Sequence, residues 1–261
     1  MPGMVTIDVE RFEAFVFDLD GVITQTASIH ARAWKQFFDE FLVRQAARTG
    51  AAFVPFDLDT DYRRYVDGKP RVAGLLSFLA ARDIRLPRGE PGDQAERGTA
   101  HGLASRKDHY FAELLAREGV RVCGGAVALL REARGRGVRL AIASSSHHCA
   151  EILRAGCLTA LLDARVDGVD IDRLGLSGKP APDMFLEAAR RLSVAPIRAV
   201  VFEDATAGIA AARAGGFGLV IGVARNTHST ALLESGADQV VADLSEVCLQ
   251  GYRRLPHLKA P

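Results

Sequence analysis

A chain of 261 residues, 48% apolar and 25% charged, is long enough for one large domain or a full domain plus a smaller one. That balance excludes intrinsic disorder, which needs low hydrophobicity and high net charge. Lys and Arg number 33 against 32 Asp and Glu, a formal charge of +1, so no general electrostatic pull toward nucleic acid or an anionic membrane is expected.

The first element is a short β-prone run, Phe12 to Phe17, stopped by Asp18-Leu-Asp-Gly21. From Ser28 to about Arg48 the period becomes helical, with Ile29, Ala33, Trp34, Phe37, Phe38 and Phe41 on one stripe. Further helices are expected around 62–66, over 72–81 and over 103–118, with a Pro- and Gly-rich loop at 82–100. After Gly119 the grammar changes to alternation: helix 126–136, strand 138–143, helix 148–155, a weaker strand 161–166, helix 182–192, strand 199–202, helix 206–214, strand 219–221 and strand 239–241. Few aromatics (7%) and 25 glycines suit an Ala/Val/Leu-rich α/β core with tight loops. Alternation at this spacing predicts an α/β fold, a doubly wound parallel sheet with helices on both faces. The purely helical block at 27–118 stands outside the alternation. The expected organisation is a core of 1–26 and 119–261 interrupted by an inserted helical domain, 27–118.

Cys123, Cys149, Cys157 and Cys248 fit no CxxC or Cys/His ligand spacing and read as thiols of a reducing compartment. His147 and His148 stand beside Cys149, but neighbours on a helix point in different directions, so one ion is not expected to use all three. No run approaches the ~20 apolar residues of a membrane helix. The opening MPGMVTIDVERFEAF lacks a signal-peptide pattern. The expectation is a cytoplasmic protein whose partner is a small molecule, with the oligomeric state open and a monomer its simplest form.

Chemistry concentrates after four strands: Asp18-Leu-Asp20, Ser144-Ser-Ser146, Lys179, and Glu203-Asp204. The carboxyl ends of parallel strands share one sheet edge, where such folds bind ligands. Four carboxylates gathered there repel one another unless a hard divalent cation joins them, and oxygen ligands favour Mg²⁺. Lys179 and the serine cluster would hold an anion beside the metal, which points to a phosphate. Taken singly, each piece has an ordinary explanation: a DxD is a helix cap or turn, SSS an N-cap, Lys179 a loop charge. The ordered set, each after its own strand, does not.

The segments FDLDGVITQT, ASSS, GKPAPDMF and FEDATAGIAAARAGG resemble, in order, the four motifs of the haloacid dehalogenase superfamily. The helical insertion after the first motif resembles that family's small mobile caps. Within it the chain is most similar to the β-phosphoglucomutases, through FDLDGVITQTASIHARAWKQFFDEFL, VDGKPR at 66–71 and Arg106-Lys107. Two departures are Gln25, where an acid often stands, and a longer insertion carrying the 82–100 loop.

The resemblance implies Mg²⁺-dependent isomerisation of β-glucose 1-phosphate to glucose 6-phosphate through a bisphosphate. Asp18 would be the nucleophile and Asp20 the general acid–base. Asp18, Asp20, Glu203 and Asp204 would form the metal site, with Asp20 contributing its carbonyl. Ser144, Ser145 and Lys179 would bind the transferring phosphoryl oxygens. Thr26, His30, Trp34, Gly68, Arg71, Lys107 and Ser146 would serve the substrate and the cap: Arg71 as a fork on the second phosphate, His30 positioning Asp20 or coupling cap closure to protonation, and 24–28 with 118–124 as the hinge. A sugar-phosphate phosphatase using the same Asp pair, and a catalytically silent binding protein, are the competing readings. The second is disfavoured because no acid of the site is replaced.

Overall fold

A computed structural model describes residues 4–224 and 229–252. In chain order, β1 (Val5–Asp8) and β2 (Ala14–Phe17) precede three helices, α1 (Ala27–Thr49), α2 (Arg71–Ala81) and α3 (Ala100–Glu118). Next come α4 (Gly124–Gly135), β3 (Arg139–Ala143), α5 (Cys149–Ala155), β4 (Ala164–Val166), α6 (Gly168–Leu174) and α7 (Asp183–Arg191). The chain continues with β5 (Ala199–Glu203), α8 (Thr206–Ala214), β6 (Leu219–Val223), α9 (Ser229–Glu234), β7 (Gln239–Val241) and β8 (Val247–Gln250). Two compact units result, Met1–Gln25 with Val120–Pro261, and Thr26–Gly119.

The first unit is built on a six-stranded sheet of order β4-β3-β2-β5-β6-β7, parallel throughout. Residue parity divides its two faces. Ala14, Val16, Ala141, Ala143, Ala199 and Val201 face Met184 and Phe185 of α7 and Ile209 of α8 in one buried cluster. These small strand residues let the helices approach closely. The alternate positions carry the bulk: Phe17 stacks on Phe202 at 4.5 Å and Phe15 meets the same ring edge-on at 5.5 Å. Such strands, buried on both faces, read as continuous apolar runs.

Strand register, more than packing, positions the reactive groups. Phe17 of β2 pairs with Phe202 of β5 and with Ile142 of β3. The next residues, Asp18, Glu203 and Ala143-Ser144, therefore leave the sheet at one level.

Four elements were not expected from the sequence. β1 and β8 form a separate two-stranded parallel sheet, Val5 to Val247 through Asp8 to Gln250. Each is four residues long, and their pairing joins opposite ends of the chain, beyond any local pattern. α6 opens with a reciprocal capping box between Asp167 and Asp170, a signal the sequence did carry in Asp-x-x-Asp. α9 is a six-residue helix with one buried residue, Leu232, too little to show a period.

The second unit has its own core. Phe38 packs against Phe78 at 4.3 Å and Phe56 at 4.7 Å, with Trp34 stacked on Phe38 at 5.0 Å. Residues 62–66 form one turn of π-helix rather than α-helix. The 82–100 loop is organised by Asp93, whose carboxylate accepts from the Glu90 N–H, the Thr99 hydroxyl and Arg97. Thr99 in turn caps α3 through the Gly102 N–H at 3.1 Å, so that helix begins three residues earlier than its apolar period suggests.

Candidate active site

Within the first unit, the strand ends bring Asp18, Asp20, Ser144, Glu203 and Asp204 together, and the loop between α6 and α7 adds Lys179. The Lys179 ammonium donates to Asp18 Oδ1 at 2.5 Å and to Glu203 Oε2 at 2.7 Å. It is fully buried. Asp18 Oδ2 accepts the Asp20 N–H at 2.8 Å, so both Asp18 oxygens are held and the carboxylate has one orientation. Glu203 accepts the Asp204 and Ala205 N–H groups on its other oxygen, at 3.2 and 3.0 Å. It thereby ties Lys179 to the start of α8.

The serine cluster divides its labour. Ser144 Oγ donates to Asp20 Oδ2 at 3.2 Å and accepts the Ser146 N–H at 3.1 Å. Ser146 Oγ accepts the His148 N–H at the head of α5. Ser145 instead turns its hydroxyl toward the Met184 sulfur, at 3.7 Å. The Ser146 carbonyl also accepts the Gly168 N–H at 3.1 Å, which ties the loop to the head of α6.

Two glycines make room for this density of charge. A Cβ at Gly21, whose φ is +96°, would overlap the Asp204 carboxylate, and one at Gly208 would overlap that of Glu203. The sequence marks Gly21 through its turn. Gly208 escaped notice there, although a glycine inside the otherwise Ala-rich helix GIAAARA is a visible cue.

The electrostatics of the site favour a cation. Burial pushes the Asp18 carboxyl up to about 8; Lys179 opposes this, while Glu203 and Asp20 add to it. Burial would also strip Lys179 of its proton, but Asp18 and Glu203 together outweigh it and hold the ammonium above its ordinary value. One ammonium against four carboxylates leaves an excess of negative charge. Asp18, Glu203 and Asp204 each offer a carboxylate oxygen within 4.8 Å of the others. An all-oxygen donor set with that excess fits a hard divalent cation such as Mg²⁺.

The second unit holds the remaining sequence-derived candidates. Thr26 is fully buried just before α1. His30 stacks on Phe111 at 3.9 Å, and its Nδ1 lies 2.8 Å from the Lys107 ammonium. An ammonium only donates, so Nδ1 accepts. Lys107 is buried, 5.3 Å above the Trp34 ring and 4.9 Å above that of Phe111. Trp34 belongs to the aromatic core. Gly68, at φ +71°, turns the chain into α2. Arg71, the first residue of α2, forms an ion pair with Asp108 on α3. Asp108 carried no sequence signal. Arg106 is engaged by Glu40 at 2.8 Å.

Comparison with known proteins agrees with this geometry. The family model described as haloacid dehalogenase-like hydrolase matches residues 12–216. A β-phosphoglucomutase of Mycobacterium bovis is 44% identical over 241 residues, 91% of this chain and 92% of that protein. A phosphorylated carbohydrates phosphatase of Thermotoga maritima is 29% identical over 233 residues, 88% of this chain and 94% of that protein. Among solved structures, a β-phosphoglucomutase from Clostridium difficile superposes with a TM-score of 0.70 at 25% identity, over 90% of this chain and 92% of the other. With its carboxylate cluster at the ends of adjacent strands and a buried ammonium beside it, the chain belongs to the haloacid dehalogenase-like hydrolase family and is a phosphoryl-transfer enzyme.

Proposed function

We propose that this protein is a Mg²⁺-dependent β-phosphoglucomutase, interconverting β-D-glucose 1-phosphate and glucose 6-phosphate through a bisphosphate. The observation that carries the reading is the doubly held Asp18 carboxylate with Asp20 tethered beside it by Ser144. The relative named a β-phosphoglucomutase, 44% identical along nearly the whole chain, supports a glucose phosphate as the substrate.

Asp18 attacks one phosphorus of the bisphosphate as the bond from that phosphorus to the sugar oxygen breaks, forming an aspartyl-phosphate and releasing a glucose monophosphate. Asp20 supplies the proton that the leaving oxygen takes up. In the return step Asp20 removes a proton from the free hydroxyl of a glucose monophosphate as that oxygen attacks the aspartyl-phosphate, which forms the bisphosphate again and restores Asp18. Lys179 neutralises charge on the phosphoryl oxygens during transfer and the Ser144 hydroxyl donates to them. Asp18, Glu203, Asp204 and the Asp20 carbonyl would hold Mg²⁺, which supplies charge neutralisation at the phosphoryl group. The helical unit acts as a cap in which Arg71 grips the second phosphate, and the reaction runs in the cytoplasm, where sugar phosphates are held.

The second reading, a sugar-phosphate phosphatase with water as final acceptor, is favoured by the Thermotoga relative. A ³¹P NMR assay with Mg²⁺, β-glucose 1-phosphate and a trace of bisphosphate separates the two. Growth of the glucose 6-phosphate signal is expected. Inorganic phosphate as the sole product would establish the phosphatase. The role of Arg71 has its own check: Arg71→Ala is expected to lower mutase kcat/KM by about 30- to 1000-fold, from loss of a charge-assisted contact of about 2–4 kcal/mol. Hydrolysis of p-nitrophenyl phosphate, which has no second phosphate, stays near wild type. An equal loss in both reactions would make Arg71 structural.

A further inference from the structure

We infer that Asp108 is a specificity-determining residue, an internal anion that competes with the substrate's second phosphate for Arg71. This rests on the proposed role of Arg71. Three observations inside the helical unit carry it. The Arg71 guanidinium is paired with the Asp108 carboxylate, so the group assigned to phosphate already holds an anion. Neither side chain is sealed away, at 21% and 26% exposed, so an incoming ligand can displace the carboxylate. Finally, α2 has no acid in its first turn and no side-chain cap at Pro70, so Asp108, reaching over from α3, is the carboxylate that its first residue meets.

The competition has a use in a mutase. A bisphosphate must let go of its distal phosphate and turn round before it can donate the other one. A guanidinium facing phosphate alone would hold that group longest where release is required. A carboxylate ready to take the guanidinium back weakens the grip and shortens the hold. A dianionic phosphate outcompetes the single charge of Asp108, whereas a neutral sugar arm does not. The pair therefore also discriminates against unphosphorylated sugars at this position.

Asp108→Asn keeps the side chain's size and removes its charge. An exposed-to-half-buried pair is worth a factor of about two to five. We expect KM for glucose 1-phosphate, and the bisphosphate concentration giving half-maximal activation, to fall by about that factor. The kcat of the mutase falls with it, and p-nitrophenyl phosphate hydrolysis is unaltered. In an Arg71→Ala background the same substitution is expected to change nothing. A purely structural Asp108 would lower the melting temperature and leave KM unmoved, and that outcome overturns the inference. So does a KM change that persists without Arg71. If Arg71→Ala itself spares sugar phosphates, the role of Arg71 fails first; if it is selective and Asp108→Asn tightens nothing, only the role of Asp108 fails.

Discussion

Two aspartates two residues apart hold very different positions. Asp18 is buried, with both oxygens engaged by Lys179 and the Asp20 N–H. Asp20 is only partly buried, and its carboxylate meets a serine hydroxyl that can yield. On the roles proposed for them, substituting them is expected to separate nucleophile from proton carrier. Asp18→Asn removes the attacking oxygen and with it all phosphoryl transfer. Asp20→Asn keeps the backbone carbonyl and loses the general acid–base, roughly a 10²–10⁴-fold effect on sugar phosphates. Acetyl phosphate needs little protonation to depart, so it still phosphorylates Asp18 in the second variant. Mass spectrometry after acetyl phosphate treatment reads this directly. Label on the Asp18→Asn protein, or on a Ser or His, would move the nucleophile elsewhere.

At the scale of elements, α6 shows how a short helix is held in place and how pH reaches it. Its seven residues cannot be stable alone. Asp167 caps the Val169 and Asp170 N–H groups, and Asp170 is clamped by Arg191 of α7 at 2.9 Å and Arg173 at 2.7 Å. Hydrogen bonding by Arg191 is the largest influence holding the Asp170 carboxyl down at about 2. Its folded value thus lies below the ~3.9 of an unfolded aspartate. The stabilisation is complete above about pH 5 and is lost as pH falls toward 2, about 2 kcal/mol at most. Asp170→Asn should cost that amount in urea unfolding at pH 7 and progressively less at pH 4 and below. A cost independent of pH would mean that packing, not charge, holds α6. Because the Gly168 N–H binds the Ser146 carbonyl, the same variant is expected to loosen the serine loop as well.

Across the whole molecule, no single element owns the proposed cation site. Its carboxylates leave β2 and β5, and its charge balance depends on a lysine from the loop before α7. Added Mg²⁺ should accordingly stabilise the folded chain as any ligand of the native state does, by about 2.7 kcal/mol at a hundred times its Kd. A rise in melting temperature with Mg²⁺, absent in Asp204→Asn, is the expected result. Excess chelator should abolish turnover reversibly. Full activity under chelation would remove Glu203 and Asp204 from the metal site. Among the described residues no helix is long and apolar enough to cross a membrane.

The features legible in residue order are local or periodic. The apolar runs that end in Asp18, Ser144 and Glu203 were legible because buried parallel strands need continuous hydrophobicity, and the helical insertion was legible from its period and from the switch in grammar at Gly119. The carboxylate and serine groups were legible because each directly follows its own strand, whereas Lys179 stands beyond α6, in the loop before α7. Tertiary structure alone decided the rest. That Lys179 meets two carboxylates depended on the register that sets Asp18 level with Glu203. That β1 and β8 exist at all depended on bringing together segments some 240 residues apart. Lys107 was expected at a phosphate and lies over two aromatic rings against His30, while Arg71 faces Asp108. Both pairings join one helix to another across the cap unit's core. A helix period reports which face a residue shares, but only packing decides which side chain of the neighbouring helix it meets.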